Sequence, residues 1–394
     1  MKVVIAGGGI GGLTAALCFQ RLGWHVEVYE KSPALSEVGA GIQIPPNAMK
    51  VFAELGIDRA LMQIGFQPMA IEARMGETGR QLFSIPILEE AERRWGAPYL
   101  HIHRADYISV LKQALETHQS DAVRVNSEVK SYRNQNDGVL VQFVDGSDAK
   151  CDLLIGADGI HSAIRSQMLG PEAPTFTGNV AWRSVVPIEK LGSVAPRPTV
   201  CAWMGRGRHC VTYRLRRGEL ANFVGVVERE DWTIESWNEV GSVDEALADF
   251  EGWHPTITRI LEESDALFRW ALFDRAPLDK WTDGRVALLG DAAHPMLPFM
   301  AQGAAMAVED AWVLAQQAYG SSDLPSALTA YQHKRHKRTS EMQAGSRANA
   351  KTFHKRSALG QISTYGPMWL AGSVRPEIIY ARQDALYGHD VTAL

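Results

Sequence analysis

The first twelve residues constrain the fold of this chain more than any other stretch. Residues 3–5 are apolar and β-branched, as in a buried parallel strand, and glycines follow in the spacing Gly7-x-Gly9-x-x-Gly12. The residues after Gly12 predict a helix. In such a unit Gly7 allows the tight turn, Gly9 lets the backbone approach a pyrophosphate, and Gly12 lets the helix pack closely on the strand. The stretch therefore predicts a dinucleotide-binding strand–turn–helix unit.

A second predicted strand strengthens this interpretation. Residues 25–29 alternate in strand fashion and are followed by Glu30, about twenty residues beyond the glycines. A carboxylate at that position can accept hydrogen bonds from both hydroxyls of an adenosine ribose. We therefore expect Glu30, with Lys31 beside it, to bind the cofactor. A glycine-rich turn in another kind of α/β domain is the alternative, and it does not explain the terminal acid.

Composition limits the class of protein. A chain of 394 residues with 46% hydrophobic and 22% charged residues is long enough for about two globular domains. The net charge of −5 argues against a nucleic-acid partner. The four cysteines lack metal-ligand spacing and predict buried, reduced thiols. A strand starting at residue 3 leaves no room for a signal peptide, and no apolar run is long enough to span a bilayer. We expect a cytoplasmic protein with no membrane or nucleic-acid partner and no metal; the sequence leaves a homodimer open.

Two later segments have a strand-and-turn pattern similar to that at the beginning of the chain. Residues 151–165 predict a buried strand that ends at Gly156, followed by Asp158 and a short helix. Residues 284–295 predict another strand, with Asp291 at its carboxyl end. Open α/β sheets bind ligands at the carboxyl ends of their strands. A strong helix follows from Gly303, and its N-terminus would stabilise negative charge.

Other candidates are ambiguous when taken alone. The glycine- and proline-rich loop 38–47 contains Gly41, which could let the chain pass close to a flat ligand or could sit in a plain connector. Arg104 precedes a predicted helix and could reach a phosphate or be an ordinary surface arginine. The basic run at residues 334–338 is interpreted as the solvated face of a helix. Residues 175–275 contain short β-like runs and frequent tryptophans, which predict an antiparallel sheet forming one wall of a cavity.

Together the three nucleotide-binding segments resemble the single-component FAD-dependent aromatic hydroxylases, over essentially the whole chain. The glycine fingerprint with Glu30 is similar to the family's ADP-binding site. The segment around Asp158 is similar to a motif linked to FAD and the nicotinamide cofactor, and Asp291 to the residue that holds the ribityl chain. Arg104 occupies the position of the family arginine near the pyrophosphate. The most similar members are the salicylate, hydroxybenzoate and hydroxynicotinate hydroxylases.

This resemblance implies an α/β architecture: a Rossmann-like FAD-binding domain, an inserted, mainly antiparallel β substrate domain, and C-terminal helices. The FAD-binding domain would comprise residues 1–172 and 276–350. The substrate domain would comprise residues 173–275, and residues 351–394 would form a helical tail.

The resemblance also implies a reaction. NADH or NADPH reduces FAD, O₂ adds to flavin C4a, and the hydroperoxide hydroxylates a small phenolic aromatic acid. The protein must stabilise the reduced flavin, exclude water and take up the phenol proton. The helix that begins at Gly303 and Ala304 suits the first task. The apolar loop 296–300, with Pro298 and Phe299, suits the second together with the sheet.

For the third task His209 and Tyr213 are the candidates. They stand four residues apart on one predicted strand and so share a face. An imidazole can accept a phenolic proton and a tyrosine hydroxyl can hold the substrate oxygen, although such a pair is often merely packed in a sheet. Arg183 would pair with the substrate carboxylate more readily than Arg214, which should face the other way. Three further residues are expected to line the pocket: Gln43, Pro295 and Phe299.

Four alternatives remain at this point. A flavin halogenase, or a flavin reductase of isoprenoid double bonds, shares the fingerprint, but the Trp-x-Trp-x-Ile-Pro segment of halogenases is absent. A plain NAD dehydrogenase leaves the two later segments unexplained. A non-catalytic flavin-binding redox sensor would show no turnover. A hydroxylase of a non-carboxylate aromatic or heteroaromatic compound would use the same machinery. The sequence leaves open the particular substrate, any loss of CO₂, and the choice between NADH and NADPH.

Overall fold

The computed structural model of the protein describes residues 1–35, 41–229 and 239–393, so residues 38–40 of the expected irregular loop lie outside the described part. The strands in the described part are β1 (Lys2–Ala6), β2 (His25–Tyr29), β3 (Gly41–Ile44), β4 (Ala70–Met75), β5 (Gln81–Pro86), β6 (Leu100–His103), β7 (Val123–Arg124), β8 (Val129–Asn134), β9 (Val139–Phe143), β10 (Asp148–Cys151), β11 (Leu153–Gly156), β12 (Thr175–Pro187), β13 (Val200–Gly205), β14 (Arg208–Leu215), β15 (Leu220–Glu228), β16 (Glu239–Gly241), β17 (Leu267–Asp274), β18 (Thr282–Asp283) and β19 (Val286–Leu288). The helices are α1 (Ile10–Arg21), α2 (Pro46–Glu54), α3 (Asp58–Ile64), α4 (Glu90–Trp95), α5 (Arg104–His118), α6 (Ala163–Leu169), α7 (Ile188–Leu191), α8 (Val243–Asp249), α9 (Pro255–Glu262), α10 (Gly303–Ala318), α11 (Leu324–Phe353), α12 (Ala358–Val374) and α13 (Glu377–Tyr387).

A six-stranded sheet in the order β18-β19-β11-β1-β2-β7 carries the nucleotide-binding segments. Strand β1 is central and runs parallel to both β2 and β11, and β11 runs parallel to β19. Residues 3–5 are fully buried because helices cover both faces of such a sheet. The predicted α/β class with a Rossmann-like FAD-binding part is confirmed. Strand β1 has β2 on one side and β11 on the other, so the chain connections diverge at its carboxyl end. In sheets of this kind a ligand-binding crevice lies at that point.

An eight-stranded sheet in the order β16-β17-β12-β15-β14-β13-β4-β5 forms the second layer. Strands β4 and β5 come from residues 70–86, so the predicted segment 173–275 supplies only part of this sheet. Strand β4 pairs with β13 in parallel, whereas the other neighbours are antiparallel. Two short strands early in the chain carry no signal that they extend a sheet formed more than a hundred residues later.

The two faces of the eight-stranded sheet have different roles. One face buries Trp182, Phe223 and other apolar residues against α8 and α9. The opposite face contains Trp270 and Val226, which pack with Phe299. Residues along a strand alternate between these two faces. The polar residues of the opposite face, which is the inner face of the sheet, therefore point toward the FAD-binding part.

The C-terminal helices close the molecule. Helix α11 is 30 residues long, and α12 and α13 follow it. Trp95 of α4 packs between Tyr380 and Tyr387 of α13, and Arg94 donates to the Asp384 carboxylate. Within the described residues, no helix has the length and apolar character needed to cross a membrane.

A buried cluster of charges joins α10 to α11. The guanidinium of Arg335 lies 2.6 Å from the Glu309 carboxylate and 2.7 Å from the Asp310 carboxylate. Arg338 adds a second contact to Glu309 at 2.8 Å, and His294 contacts Asp310 at 2.5 Å. The side chains of Arg335, Glu309 and Asp310 are at most 1% exposed.

The interpretation of residues 334–338 as a solvated helix face is therefore wrong for Arg335. This residue lies on the same buried stripe of α11 as Tyr331 and Thr339, because residues four apart share one side of a helix. Lys337 faces solvent, with 87% of its side chain exposed. The carboxylates that permit Arg335 to be buried belong to another helix, so the local charge run cannot reveal them.

Replacing Arg335 tests the energetic role of this cluster. Arg335→Met keeps an apolar stem but leaves two buried carboxylates without their main partner, and we expect a loss of about 3–5 kcal/mol in the free energy of unfolding. Urea denaturation of the holoenzyme measures this loss. The control Lys337→Met should change stability by less than about 0.5 kcal/mol. Equal effects of the two substitutions would contradict the assignment.

The same cluster predicts how stability depends on pH. Burial alone would raise the pKa values of Glu309 and Asp310, but Arg335, with Arg338 for Glu309 and His294 for Asp310, outweighs burial and lowers both. Because both pKa values are depressed in the folded state, their contribution is present above the unfolded pKa values of about 4 and is lost as the pH falls through the folded ones. In Arg335→Met the two carboxylates lose their main cation, so burial raises their pKa values relative to those in the wild type. Acidification then neutralises the carboxylates and reduces the cost of burying them. Denaturation between pH 7 and 4 should show the stability gap between variant and wild type narrowing on acidification; a constant gap would refute this.

Candidate active site

The carboxyl ends of β1, β11 and β19 meet at one edge of the six-stranded sheet. Gly7, at the end of β1, has a φ of +106°, and a Cβ there would lie 2.3 Å from the carbonyl oxygen of Ala157. A Cβ on Gly12 would lie 2.0 Å from the carbonyl oxygen of Gly7. Neither position can take a side chain. Gly9 differs, because a Cβ there would meet no atom within 4 Å, so open space lies in front of the turn.

The first turn of α1 offers donors to that space. Gly9 is the N-cap residue, and no side chain caps the helix. The first N–H groups of α1 are thus available to a phosphate. The Glu30 carboxylate lies beside the turn, accepting hydrogen bonds from Gly8 N and Ser32 N, each at 2.8 Å. Lys31 follows with an exposed side chain.

The Asp158 segment borders the same crevice. One oxygen of Asp158 accepts a hydrogen bond from Ile164 N at 3.2 Å, while the other, Oδ1, is buried and has no hydrogen-bond partner within the described residues. Burial raises the pKa of this carboxyl. Arg165 donates to the carbonyl oxygen of Ala292 at 3.1 Å, and so joins this segment to the one that contains Asp291.

Asp291 and Arg104 line the deeper part of the crevice. Asp291 is open to solvent but lies deep among protein atoms, as expected for a residue in a cleft. Burial raises its pKa, against the opposing charges of His294, Arg104 and Arg165. Arg104 begins α5, and burial, with some help from the charge of Arg183, lowers its pKa to about 10.

The loop before α10 and the start of that helix form the next wall. Helix α10 begins at Gly303 with no acidic residue in its first turn and no side-chain cap. Gly303 and Ala304 are partly exposed, and Pro298 is exposed. Pro295 and Phe299 are buried. Pro295 is held by Gln343, which donates to its carbonyl oxygen at 2.8 Å.

Strand β3 brings Gly41 and Gln43 to the inner face of the eight-stranded sheet. Gly41 N donates to Asn222 Oδ1 at 2.7 Å, and a Cβ on Gly41 would lie 2.6 Å from the Tyr213 ring. Gly41 therefore does allow a close approach, in this case to side chains of the sheet. Gln43 accepts a hydrogen bond from Tyr99 Oη at 2.5 Å.

His209 and Tyr213 share this inner face but have different neighbours. The His209 ring contacts Phe299, with ring centres 5.1 Å apart, and its Nδ1 lies 2.6 Å from Nε2 of His354. Burial lowers the pKa of His209 well below its ordinary value, with a smaller effect from His354, so the imidazole is neutral. Burial raises the pKa of Tyr213, against the opposing charge of Arg183, so its phenol is neutral too.

Two residues that contact the predicted candidates carry no signal in the sequence. Asn222 binds Gly41, and His354 binds His209 from a position 145 residues away in the chain. Neither belongs to a motif, and no local pattern could have identified them. Arg214 donates to the carbonyl oxygen of Pro196 at distances of 3.0 and 2.7 Å, in keeping with its expected orientation away from Tyr213.

These features fit FAD. The open space before Gly9 and the uncapped start of α1 suit the pyrophosphate, and the unsatisfied Asp158 and cleft-lining Asp291 can accept hydrogen bonds from hydroxyl groups. The fold and the site together define the protein as an FAD-binding α/β protein.

Comparison with known proteins agrees. The chain belongs to the FAD binding domain family, whose sequence profile matches residues 1–346. It is 36% identical over 390 residues to 3-hydroxybenzoate 6-hydroxylase 1 of Aquipseudomonas alcaligenes, covering 99% of this chain and 98% of that one. It is 36% identical over 353 residues to 6-hydroxynicotinate 3-monooxygenase of Bordetella bronchiseptica, with coverages of 88% and 91%. The structure of Klebsiella pneumoniae HpxO with FAD and uric acid superposes with a TM-score of 0.86 at 28% identity, covering 98% of this chain and 97% of that one. The expected resemblance, flavoprotein class and FAD cofactor are confirmed.

The space before Gly9 gives a direct test of cofactor binding. Gly9 has an extended backbone (φ −75°, ψ −176°) that any residue can adopt. We therefore expect Gly9→Val to fold normally but to bind FAD at least about tenfold more weakly, a loss of ~1.4 kcal/mol. Flavin fluorescence titration of the apoprotein measures this, and circular dichroism checks the fold. Gly12→Ala should instead destabilise the apoprotein itself, because its Cβ would collide with Gly7. Unchanged FAD affinity in Gly9→Val would be evidence against this binding site.

Proposed function

We propose that the protein is an FAD-dependent monooxygenase that hydroxylates a small phenolic aromatic acid, with NADH or NADPH as reductant and O₂ as the oxygen source. The observation that carries this proposal is a half-buried arginine, Arg183, on the inner face of the sheet. It lies on the same face as a neutral imidazole, His209, and a neutral phenol, Tyr213.

Arg183 requires an anion. Its guanidinium stacks over Trp270 at 4.2 Å, its Nε is buried without a hydrogen-bond partner, and it forms no ion pair with a carboxylate in the described part of the chain. Burial lowers its pKa. A guanidinium in a largely apolar site without an anionic partner is costly. A substrate carboxylate would provide the missing charge through a bidentate contact.

The sheet register supports a single substrate that contacts all three side chains. Val224 lies opposite Arg183 on one neighbouring strand and opposite Val211 on the other. Arg183 is therefore level with the midpoint between His209 and Tyr213. Its Cα is about 12 Å from each of theirs, by the spacing of sheet strands. A benzene ring with a carboxylate and a hydroxyl, together with these side chains, can bridge that distance.

Each group then has a chemical role. His209 is neutral and lies among apolar side chains. It accepts the phenolic proton and so raises the electron density of the substrate ring. Tyr213 holds a substrate oxygen. FAD, when bound, supplies the reaction with O₂ that no side chain of the protein can supply. Glu30 and the α1 N-terminus would hold its ADP half, with Lys31 beside them. Asp158, Asp291 and Arg104 would hold its middle, and the α10 N-terminus would stabilise negative charge on its ring.

Water exclusion belongs to the apolar wall. Phe299, Trp270 and Leu297 pack together between the sheet and the loop before α10. Such a wall keeps solvent away from a reactive oxygen species during the transfer. Pro298 and Gln43 would border the substrate space from the loop and from β3.

The proposed compartment is the cytoplasm. The four cysteines are buried free thiols, which supports a reducing environment. The net charge of −5 supports a small-molecule substrate rather than a nucleic acid.

A second candidate is the hydroxylation of a heteroaromatic compound without a carboxylate. The likeness to HpxO, whose structure contains uric acid, favours it. Arg183 would then pair with an ionised ring oxygen or nitrogen.

Flavin reduction distinguishes these candidates. The holoenzyme is mixed anaerobically with NADH or NADPH, and flavin bleaching is followed with and without salicylate, 3-hydroxybenzoate, 6-hydroxynicotinate and uric acid. Many-fold acceleration by one of the acids, with hydroxylated product after O₂ is admitted, supports the main proposal. Acceleration by uric acid alone supports the second. Reduction without any hydroxylated product, or no reduction at all, contradicts both.

Replacing Arg183 tests the carboxylate contact. Arg183→Met removes the charge while keeping most of the volume, and we expect KM for the accepted acid to rise about 30- to 100-fold, or ~2–3 kcal/mol. The corresponding neutral amide, such as 3-hydroxybenzamide for 3-hydroxybenzoate, should be affected less than about threefold by the same substitution. Steady-state kinetics with both compounds measures the difference.

Arg214→Gln is the matched control, because Arg214 lies on β14 of the same sheet but faces Pro196. It should leave the KM for the acid unchanged. Equal losses for acid and amide in Arg183→Met would mean that Arg183 acts on the fold or on the flavin rather than on a carboxylate.

A further inference from the structure

A chain of hydrogen bonds leads from His209 to the protein surface. Nδ1 of His209 lies 2.6 Å from Nε2 of His354, and Nδ1 of His354 lies 3.1 Å from Oε1 of Glu228. His354 is the cap residue directly after α11, and Glu228 is the last residue of β15. His209 and His354 are buried, whereas 27% of the Glu228 side chain is exposed.

We propose that His354 and Glu228 are positioning residues that conduct the substrate's phenolic proton from His209 to solvent. This inference rests on the proposed function, because it requires a phenol at His209. It assigns a role to two residues that have no part in binding the flavin or the substrate.

The Glu228 carboxylate, at the outer end of this chain of hydrogen bonds, sets the direction of each hydrogen bond. A carboxylate only accepts, so Nδ1 of His354 carries the hydrogen that faces Glu228. A neutral imidazole has one N–H, so Nε2 of His354 carries a lone pair and accepts from Nδ1 of His209. Nε2 of His209 is then left with its lone pair. This is the tautomer that a base facing a phenol needs.

The proton balance follows from that order. The phenol O–H bond breaks as a bond forms at Nε2 of His209. The Nδ1 proton of His209 passes to Nε2 of His354, and the Nδ1 proton of His354 passes to Glu228. Glu228 releases its proton to water. No atom is oxidised or reduced, and the reverse sequence returns a proton to the product and restores both tautomers.

The outer end of the chain opens on a surface cavity of about 390 Å³. Glu228 and Arg356 line it, together with Arg206, Arg208 and Asp249. Arg356 pairs with the other oxygen of Glu228, so Oε1 remains directed at His354. The charged or titratable groups facing His354 are thus Glu228, Arg356 and His209. Both imidazoles are neutral, since burial lowers both pKa values.

Aromatic rings around this chain of hydrogen bonds exclude water from it. Phe299 and Phe353 flank His209, with ring centres at 5.1 and 5.0 Å. Water that reached His209 directly could accept the proton, but it could also reach the oxygen-transfer site. A side-chain route carries a proton without admitting a water molecule.

The tautomers can be tested without any substrate. In holoenzyme labelled with ¹⁵N in its histidines, each ring nitrogen reports whether it carries a hydrogen. We expect His209 and His354 both to carry hydrogen at Nδ1. In Glu228→Gln, whose amide can donate as well as accept, this preference should weaken at both histidines. A wild-type His209 with hydrogen at Nε2 would overturn the proposal.

Proton release tests conduction. The holoenzyme is mixed with the accepted phenolic acid in weak buffer containing a pH indicator, in a stopped-flow instrument. We expect His354→Phe to slow proton release by about tenfold or more. Phenylalanine keeps the aromatic packing but has no nitrogen. Glu228→Gln should slow release similarly, and Glu228→Asp should restore part of the rate. The substrate Kd should stay within about threefold in all three variants.

Arg356→Gln is the matched control, because it breaks a contact to the same carboxylate from the outer side. Its proton-release rate should remain at the wild-type value. Wild-type release in His354→Phe, or a loss in Arg356→Gln as large as in Glu228→Gln, would overturn the proposal. If the wild type binds and hydroxylates no phenolic acid, the proposed function fails, and the ¹⁵N measurement still decides whether the hydrogen bonds run in the required order.

Discussion

The buried pair of carboxylates at Glu309 and Asp310 is the constraint on which the site depends. Asp310 accepts hydrogen bonds from Gly290 N at 3.2 Å and contacts His294 at 2.5 Å, so it fixes the turn that presents Asp291 to the crevice. Glu309 accepts from Asn47 of α2 at 2.7 Å. Two adjacent residues of α10 thereby fix the helix N-terminus and two neighbouring segments. Arg335 stabilises this arrangement, because two buried carboxylates without a cation would not both remain ionised.

A second constraint is the alternation of side chains in the eight-stranded sheet. Trp182 and Phe223 give one face an ordinary apolar core. The opposite face has Arg183, His209 and Tyr213 among apolar residues, and Nε of Arg183 has no hydrogen-bond partner in the described part of the chain. Such a group reduces stability unless a ligand completes its contacts. In the proposed function, the polar groups that make this face a poor core are those that select an anionic, proton-bearing ring.

The sequence predicted what local rules determine. The glycine turns around Gly7 and Gly12, the strand ends that carry Asp158 and Asp291, and the shared face of the β14 candidates follow from spacing alone. The α/β class, the FAD cofactor and the monooxygenase family followed from those segments taken together. Contacts between distant parts of the chain could not be predicted, because no periodicity connects them. Examples are the β4–β5 hairpin that joins a later sheet, Arg335 turned inward onto α10, and His354 beside His209.

This division has a functional counterpart. The family profile ends at residue 346, after the flavin crevice and both candidates on β14, whereas His354 lies beyond it. The proposed base, His209, thus lies within the profile match, and its hydrogen-bond partner, His354, lies just beyond it. A neutral imidazole needs an acceptor at its far nitrogen to fix its tautomer. In the proposed route that acceptor is Nε2 of His354, directly after α11, and Arg335 pairs the same helix with α10. The ion cluster and the proposed route for the proton therefore share one helix.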